Sequence, residues 1–274
     1  MAELAISNIA WTNSEEPTIA KRLQELGVTK VEIAPTKRWE DPTNASPEEV
    51  KEYVDWWKSF GIDIYSFQSL HFARPDLKLF ESAELRDEML SYTAEFLRLA
   101  GDMGVKRLVF GSPKSRQRGE LSIEEANTIA RDFFMKLGSV AEKYDTILCI
   151  EPNAPQYNCD FMTNAKEGAD VVRAVGSKGV GLHLDTACMA LAGDDLGASI
   201  RENADILEHF HVSAPMLDRV FDRDDVDYRG AAQALRDIEY NKVISIEMRP
   251  GDEGENLARV EDAIQFVRSV FPVR

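Results

Sequence analysis

The sequence predicts an α/β protein, a single (β/α)8 barrel domain over residues 1–274, from three observations. Short β-rich runs alternate with longer amphipathic ones, and the eight pairs they make in 274 residues suit one closed barrel. No linker or low-complexity tract interrupts the alternation. No G-x-G-x-x-G follows the first apolar run, so an open doubly wound sheet would lack its dinucleotide-binding turn.

In chain order, Leu4–Trp11 reads as a strand and Pro17–Leu26 as the helix after it, closed by Gly27. Lys30–Ala34 leads into Pro47–Phe60, whose start Ser46-Pro47-Glu48-Glu49 sets a capping oxygen ahead of carboxylates that suit a positive helix end. Gly61 ends that helix before strand Ile62–Gln68, and helix Glu81–Ala100 runs to the turn at Gly104. Strand Val105–Phe110 precedes helix Leu121–Glu142, with a second cap at Ser122-Ile123-Glu124-Glu125. The remaining strands are Thr146–Glu151, Val180–Asp185, Ile206–Ser213 and Lys242–Glu247. Their helices are Ala165–Val175, Leu196–Asn203, Gly230–Tyr240 and Asn256–Val270, which completes a TIM-barrel pattern.

Composition narrows the function. Hydrophobic residues are 44% and charged residues 29% of the chain, enough to bury a large core. Lys and Arg number 32 against 48 Asp and Glu, and a net charge of −16 repels a phosphate backbone, so no nucleic-acid partner is expected. Cys149, Cys159 and Cys188 show neither pairing nor zinc-ribbon spacing, which fits free thiols and a cytoplasmic location. The start MAELAISNIAW lacks signal-peptide features, and no stretch nears the roughly 18 apolar residues of a membrane span, so no membrane partner is expected.

In a barrel, ligands gather at the carboxyl ends of strands. Four late strands end in metal-ligand types: TILCIEPN in Glu151, GVGLHLDT in Asp185, ILEHFHVS in His211 and KVISIEMR in Glu247. Strand alternation puts Leu148 and Ile150, Leu182 and Leu184, Phe210 and Val212, and Ile244 and Ile246 on the helix side, so the four polar groups point into one mouth. Any one alone reads as a cap or a solvated carboxylate, but four in phase on successive strands do not. Three converging carboxylates repel unless a cation sits among them, so one divalent metal ion is expected at Glu151, Asp185, His211 and Glu247. One imidazole with carboxylate oxygens suits Mn²⁺, Mg²⁺ or Co²⁺, with Zn²⁺ a further option.

At these residues the chain resembles the xylose isomerase-like TIM-barrel superfamily, in particular the sugar phosphate isomerase/epimerase group related to ketose 3-epimerases and inosose dehydratases. IEPN, HLDT, HFHVS and SIEMRP carry the resemblance, with support from VEIAPT and LVFGSP. It implies that the four positions hold one metal ion and that Glu151 and Glu247 flank the carbon that exchanges a proton. Departures from ketose 3-epimerases are Cys188, where those enzymes place a substrate-binding histidine, and Leu217, where they place an arginine.

Further candidates for substrate binding surround this set. His183 and His209 precede ligands by two residues in the same phase, and either hydrogen-bond a substrate hydroxyl or pack inside. Glu32 in VEIAP and Gln68 after the third strand offer polyol contacts. Lys114, with Arg116, in GSPKSR either receives an anionic group or is simply a basic loop, and Arg249, in phase with Glu247, is the better anion or hydroxyl clamp. Trp11 offers an apolar wall. His71 in SLHFARPD reads as a solvated loop histidine.

The expectation is therefore a metal-dependent isomerase or epimerase in carbohydrate metabolism, acting on a small sugar or keto-polyol, phosphorylated or not, through a metal-bound enediolate with Glu151 and Glu247 as acid and base. A lyase or dehydratase of a keto-sugar, keto-inositol or dehydroshikimate-like substrate is the alternative, and a non-catalytic sugar-binding barrel the second. The resemblance implies a homodimer or homotetramer.

Overall fold

The computed structural model describes residues 1–274. Eight parallel strands close in sequence order, with the eighth pairing back on the first. They are β1 (Glu3–Ser7), β2 (Lys30–Ile33), β3 (Asp63–Phe67), β4 (Arg107–Phe110), β5 (Ile147–Ile150), β6 (Val180–Asp185), β7 (Leu207–Ser213) and β8 (Val243–Glu247). Outside them lie α1 (Glu16–Glu25), α2 (Pro47–Ser59), α3 (Ala83–Met103), α4 (Ile123–Lys143), α5 (Ala165–Val175), α6 (Thr186–Ala192), α7 (Leu196–Glu202), α8 (Tyr228–Asp237) and α9 (Asn256–Val270). None is long and apolar enough to cross a membrane.

The helix starts follow the expected chemistry. Ser46 Oγ accepts the Glu49 N–H at 3.2 Å while the Glu49 carboxylate accepts the Ser46 N–H at 2.9 Å, and Ser122 with Glu125 repeats the exchange. At the end of α3, Gly104 turns the chain at φ 74, a left-handed conformation that costs a residue with a Cβ more than glycine.

Strand side chains divide as the alternation requires. Leu148, Ile150, Leu182, Leu184, Phe210, Val212, Ile244 and Ile246 are all completely buried. Each contributes about 1.5–3 kcal/mol by leaving water. The other phase supplies buried polar groups: Ser7, Glu32, Ser66, His183, His209, His211 and Ser245. A register shift in β2 between Val31 and Glu32 sets Glu32 opposite Ser66, and one in β6 before His183 sets His183 opposite His209.

Two local features depart from expectation. β1 stops at Ser7 and a 3₁₀ turn over Asn8–Ala10 follows, so Trp11 lies past the strand rather than at its tip. Helix α6 starts directly from β6, with Asp185 as its cap, because Asp185 Oδ1 accepts the Cys188 N–H at 2.7 Å. Its run TACMALA is short and apolar after Thr186, so it carries no 3.6-residue polar pattern to read.

Candidate metal centre

The strand ends bring Glu151, Asp185, His211 and Glu247 together. Glu151, Asp185 and Glu247 line one cavity of about 220 Å³ at the carboxyl end of the barrel. Below it, His211 is buried, with Nδ1 3.4 Å from Glu247 Oε2 and 4.0 Å from Asp185 Oδ2 and no hydrogen-bond partner. Two donors bound to one ion at about 2.1 Å stand roughly 3.0–3.4 Å apart, so this buried, unpartnered nitrogen among carboxylates fits a divalent ion.

His211 is oriented from behind. Its Nε2 lies 2.9 Å from Glu32 Oε1, within reach but off the line of a hydrogen bond. Glu32 is fully buried and also accepts from His209 Nε2 at 2.8 Å, Ser66 Oγ at 2.7 Å, and Gln68 Nε2 and Ser245 Oγ at 3.3 Å. Burial opposes the charge on Glu32, but His211 and His209 outweigh it and hold its carboxyl well below the usual range. Burial likewise opposes charge on His211, but Glu32 and Glu247 raise its pKa well above the usual value. A carboxylate behind the imidazole fixes which nitrogen faces the ion.

The cavity groups repel one another without a cation. Burial, then the charges of Glu247 and Asp185, push the Glu151 carboxyl up to about 8. Burial and Glu247 raise Asp185 too, although Ser213 Oγ donates to it at 2.5 Å. His183 Nε2 lies 3.7 Å from Glu151 Oε1 and its ring meets that of His211 edge to face at 4.1 Å; burial and the two other histidines hold its pKa well below the usual value.

Glu151 is held from two sides. Gly111 packs so closely that a Cβ there would stand 2.2 Å from Glu151 Oε2. Arg116, completely buried, donates to the Glu151 carbonyl and to Asn153 Oδ1, both at 2.7 Å. It is therefore not the solvated loop cation its sequence context suggests.

The other candidates separate cleanly. Gln68 lines the cavity, and His183 touches Glu151 from inside the barrel. Glu32 and His209 lie among the buried side chains beneath, so they contact His211 and one another rather than the cavity. Lys114, in the 3₁₀ turn after β4, and Arg249, just past β8, are exposed and absent from the lining. Trp11 is buried, with its carbonyl accepting from Lys37 Nζ, and forms no wall of the cavity.

Four polar lining residues escaped the sequence reading: Ser69, Ser112, Asn153 and Tyr157. Ser112 in GSP and Asn153 in EPN sit directly after strands, so the rule that found the acids also marks them. Val109, Pro113, Cys188 and Leu217 complete much of the lining, and the Met216 N–H donates to Tyr157 Oη at 3.0 Å.

Known structures share this architecture. A D-psicose 3-epimerase from Clostridium cellulolyticum H10, crystallised with D-tagatose, superposes with a TM-score of 0.82 at 19% identity, covering 98% of this chain and 99% of that one. The IolI protein with a bound zinc atom superposes at 0.77 and 17% identity, covering 98% and 97%. At these identities the likeness is one of fold. A tyrosine–tRNA ligase of Chlorobium luteolum is 30% identical over 167 residues, 59% of this chain, and the match spans 37% of that curated relative's length. Residues 20–270 match the family described as xylose isomerase-like TIM barrel, and the chain belongs to that family.

Proposed function

We propose that the protein is a divalent-metal-dependent isomerase or epimerase of a small sugar or keto-polyol, with Glu151 and Glu247 as its proton-transfer pair. The supporting observation is the convergence of Glu151, Asp185 and Glu247 on one cavity beside the unpartnered Nδ1 of His211. These four residues would hold the ion. When bound, a divalent ion supplies Lewis acidity that polarises a carbonyl and acidifies the neighbouring C–H. Mn²⁺, Mg²⁺, Co²⁺ and Zn²⁺ all suit the donor set, and the zinc atom of IolI adds weight to the last.

The chain's own groups then move the proton. Glu151 and Glu247 both line the cavity, where each carboxylate can take a proton from a bound substrate or give one back. One glutamate removes a proton from the carbon beside the carbonyl and the other returns it, so that carbon inverts or the carbonyl migrates. Gln68 is the proposed polar contact; His183, buried behind Glu151, supports that side chain, while Glu32 and His209 hold His211 in place. The lining has no cationic side chain, and three carboxylates exceed the charge of one divalent ion, so the proposed substrate is neutral and unphosphorylated. A cavity of about 220 Å³ suits a small molecule.

The test is a panel of ketoses, keto-polyols and their phosphates with Mn²⁺ in D₂O, followed by proton NMR. The expected result is deuterium at one carbon and a new epimer or isomer from a neutral substrate. Glu151→Gln and Glu247→Gln should each lower turnover by about 10²-fold or more while the protein still binds metal. A Glu247→Gln enzyme within a few-fold of wild type overturns the pair. New ultraviolet absorbance from an unsaturated carbonyl identifies a lyase instead, and binding without exchange a sugar-binding barrel.

A further inference from the structure

We propose that Ser112 is a hydrogen-bond acceptor for a substrate hydroxyl, and that buried His71 holds it in that state. The part concerning a substrate rests on the proposed function; the proton order does not.

Ser112 lines the cavity immediately after β4, in a left-handed conformation at φ 49. Behind it stands His71, with Nδ1 2.9 Å from Ser112 Oγ and Nε2 2.8 Å from Thr93 Oγ1. The imidazole is 3% exposed and meets Phe110 edge to face, with centroids 5.2 Å apart. Every polar atom of the ring is thus engaged, and each bond has a direction that the neighbours fix.

The chain of directions starts in α3. Thr93 Oγ1 lies 2.7 Å from the Met89 carbonyl oxygen one turn earlier. A carbonyl can only accept, so the single hydroxyl hydrogen of Thr93 is committed there and its lone pairs face His71. The histidine must therefore donate from Nε2. Burial, assisted by the Arg74 charge, lowers the His71 pKa to about 3, so the ring is neutral and carries no second proton. Its Nδ1 is then a lone pair, and Ser112 must donate its hydroxyl hydrogen to it. That hydrogen points away from the cavity. What Ser112 Oγ offers a ligand is lone pairs, which select an O–H donor over an ether or carbonyl oxygen.

The four histidines of the chain make the proton order directly measurable by ¹⁵N–¹H NMR on histidine-labelled, Mg²⁺-loaded protein. His71→Gln identifies the His71 signals by their loss. A neutral ring protonated at Nε2 from pH 5 to pH 8 is expected. A ring protonated at Nδ1, or an imidazolium near pH 6, overturns the proposal whatever the enzyme does.

The acceptor role is read with D-tagatose and its monodeoxy analogues. Ser112→Gly removes the hydroxyl while suiting the left-handed backbone. It should raise KM for D-tagatose about 5–10-fold with kcat within about twofold, the loss expected for one neutral hydrogen bond. One deoxy analogue should show no difference between variant and wild type. An unchanged KM, or a loss shared equally by every analogue, overturns the acceptor role. Absence of deuterium exchange with every ketose overturns the proposed function instead and leaves the tautomer result standing.

Discussion

The Nε2 atom of His211 lies 2.9 Å from Oε1 of Glu32, while its Nδ1 faces Asp185 and Glu247. One imidazole thus joins a fully buried carboxylate to the cavity above it. Replacing Glu32 by Gln keeps the volume but puts an amide N–H₂ where donors already crowd. Loss of such an outer partner lowers metal affinity about 10–100-fold. Calorimetric titration of Glu32→Gln with Mn²⁺ measures it, and wild-type affinity would contradict the role given to Glu32.

The acid cluster makes stability depend on pH in a definite sense. Glu151 titrates near 8 in the folded protein, against 4.5 for an ordinary glutamate, because of burial and the charges of Glu247 and Asp185. The metal-free folded chain therefore keeps a proton that the unfolded chain releases. Its stabilising contribution is complete below about pH 4.5 and is lost as pH rises through about 8. His211, raised above 6.5, acts in the same sense, and Glu32, held low, loses its contribution only as pH falls below 4.5. Below about pH 6.5 the buried His71, His183 and His209, held under the usual value, act in the opposite sense. In EDTA, Tm should therefore fall from pH 7 to 8.5, and Glu151→Gln should flatten the fall. A Tm that climbs over this range is the contrary result.

Metal binding at pH 7 should displace that proton from Glu151. His211, whose pKa is also raised, must likewise give up a proton to ligate, so calorimetry with Mn²⁺ in buffers of different ionisation heat should report release of about two protons per ion. Heats that do not vary with the buffer would place the ion away from Glu151.

The acids were legible because a period of two needs only local sequence. Leu148 and Ile150 mark the helix side of β5, so Glu151 must face the other way. Depth along the barrel axis is not local. Glu32 has the same inward phase as Glu151, yet the stagger of β2 and its register shift place it beside Ser66, beneath the cavity. Arg116 was illegible for a related reason: nothing in GSPKSR says that its guanidinium folds inward onto the main chain of a later strand. Asp185 serves both the cavity and the start of α6, and the second role hid behind the first.

Arg116 also yields a prediction about stability. Arg116→Met leaves the Glu151 carbonyl and Asn153 Oδ1 without their donor in a buried setting. Two charge-assisted bonds of this kind together are worth about 3–5 kcal/mol. Urea unfolding should show a loss of that size, with Arg116→Lys, which can remake one bond, in between. A change below about 1 kcal/mol in Arg116→Met would mean that the two bonds contribute little.

Gly111 separates activity from stability. An alanine Cβ there would stand 2.2 Å from Glu151 Oε2, while Asn153 Oδ1, at 3.5 Å, is an ordinary contact. The obstructed atom is the free end of a flexible side chain, so the carboxylate can swing aside at little energetic expense. What is lost is its position among Asp185, His211 and Glu247, where a displacement of about 1 Å costs about 10²-fold in rate. Gly111→Ala should therefore unfold within about 1 kcal/mol of wild type, because the end of a side chain rather than the backbone gives way. The same protein should bind Mn²⁺ more weakly and lose about 10²-fold or more in deuterium exchange. If it exchanges deuterium at the wild-type rate, Glu151 tolerates displacement, and neither the proton-transfer role nor the tight ligand geometry assigned to it holds.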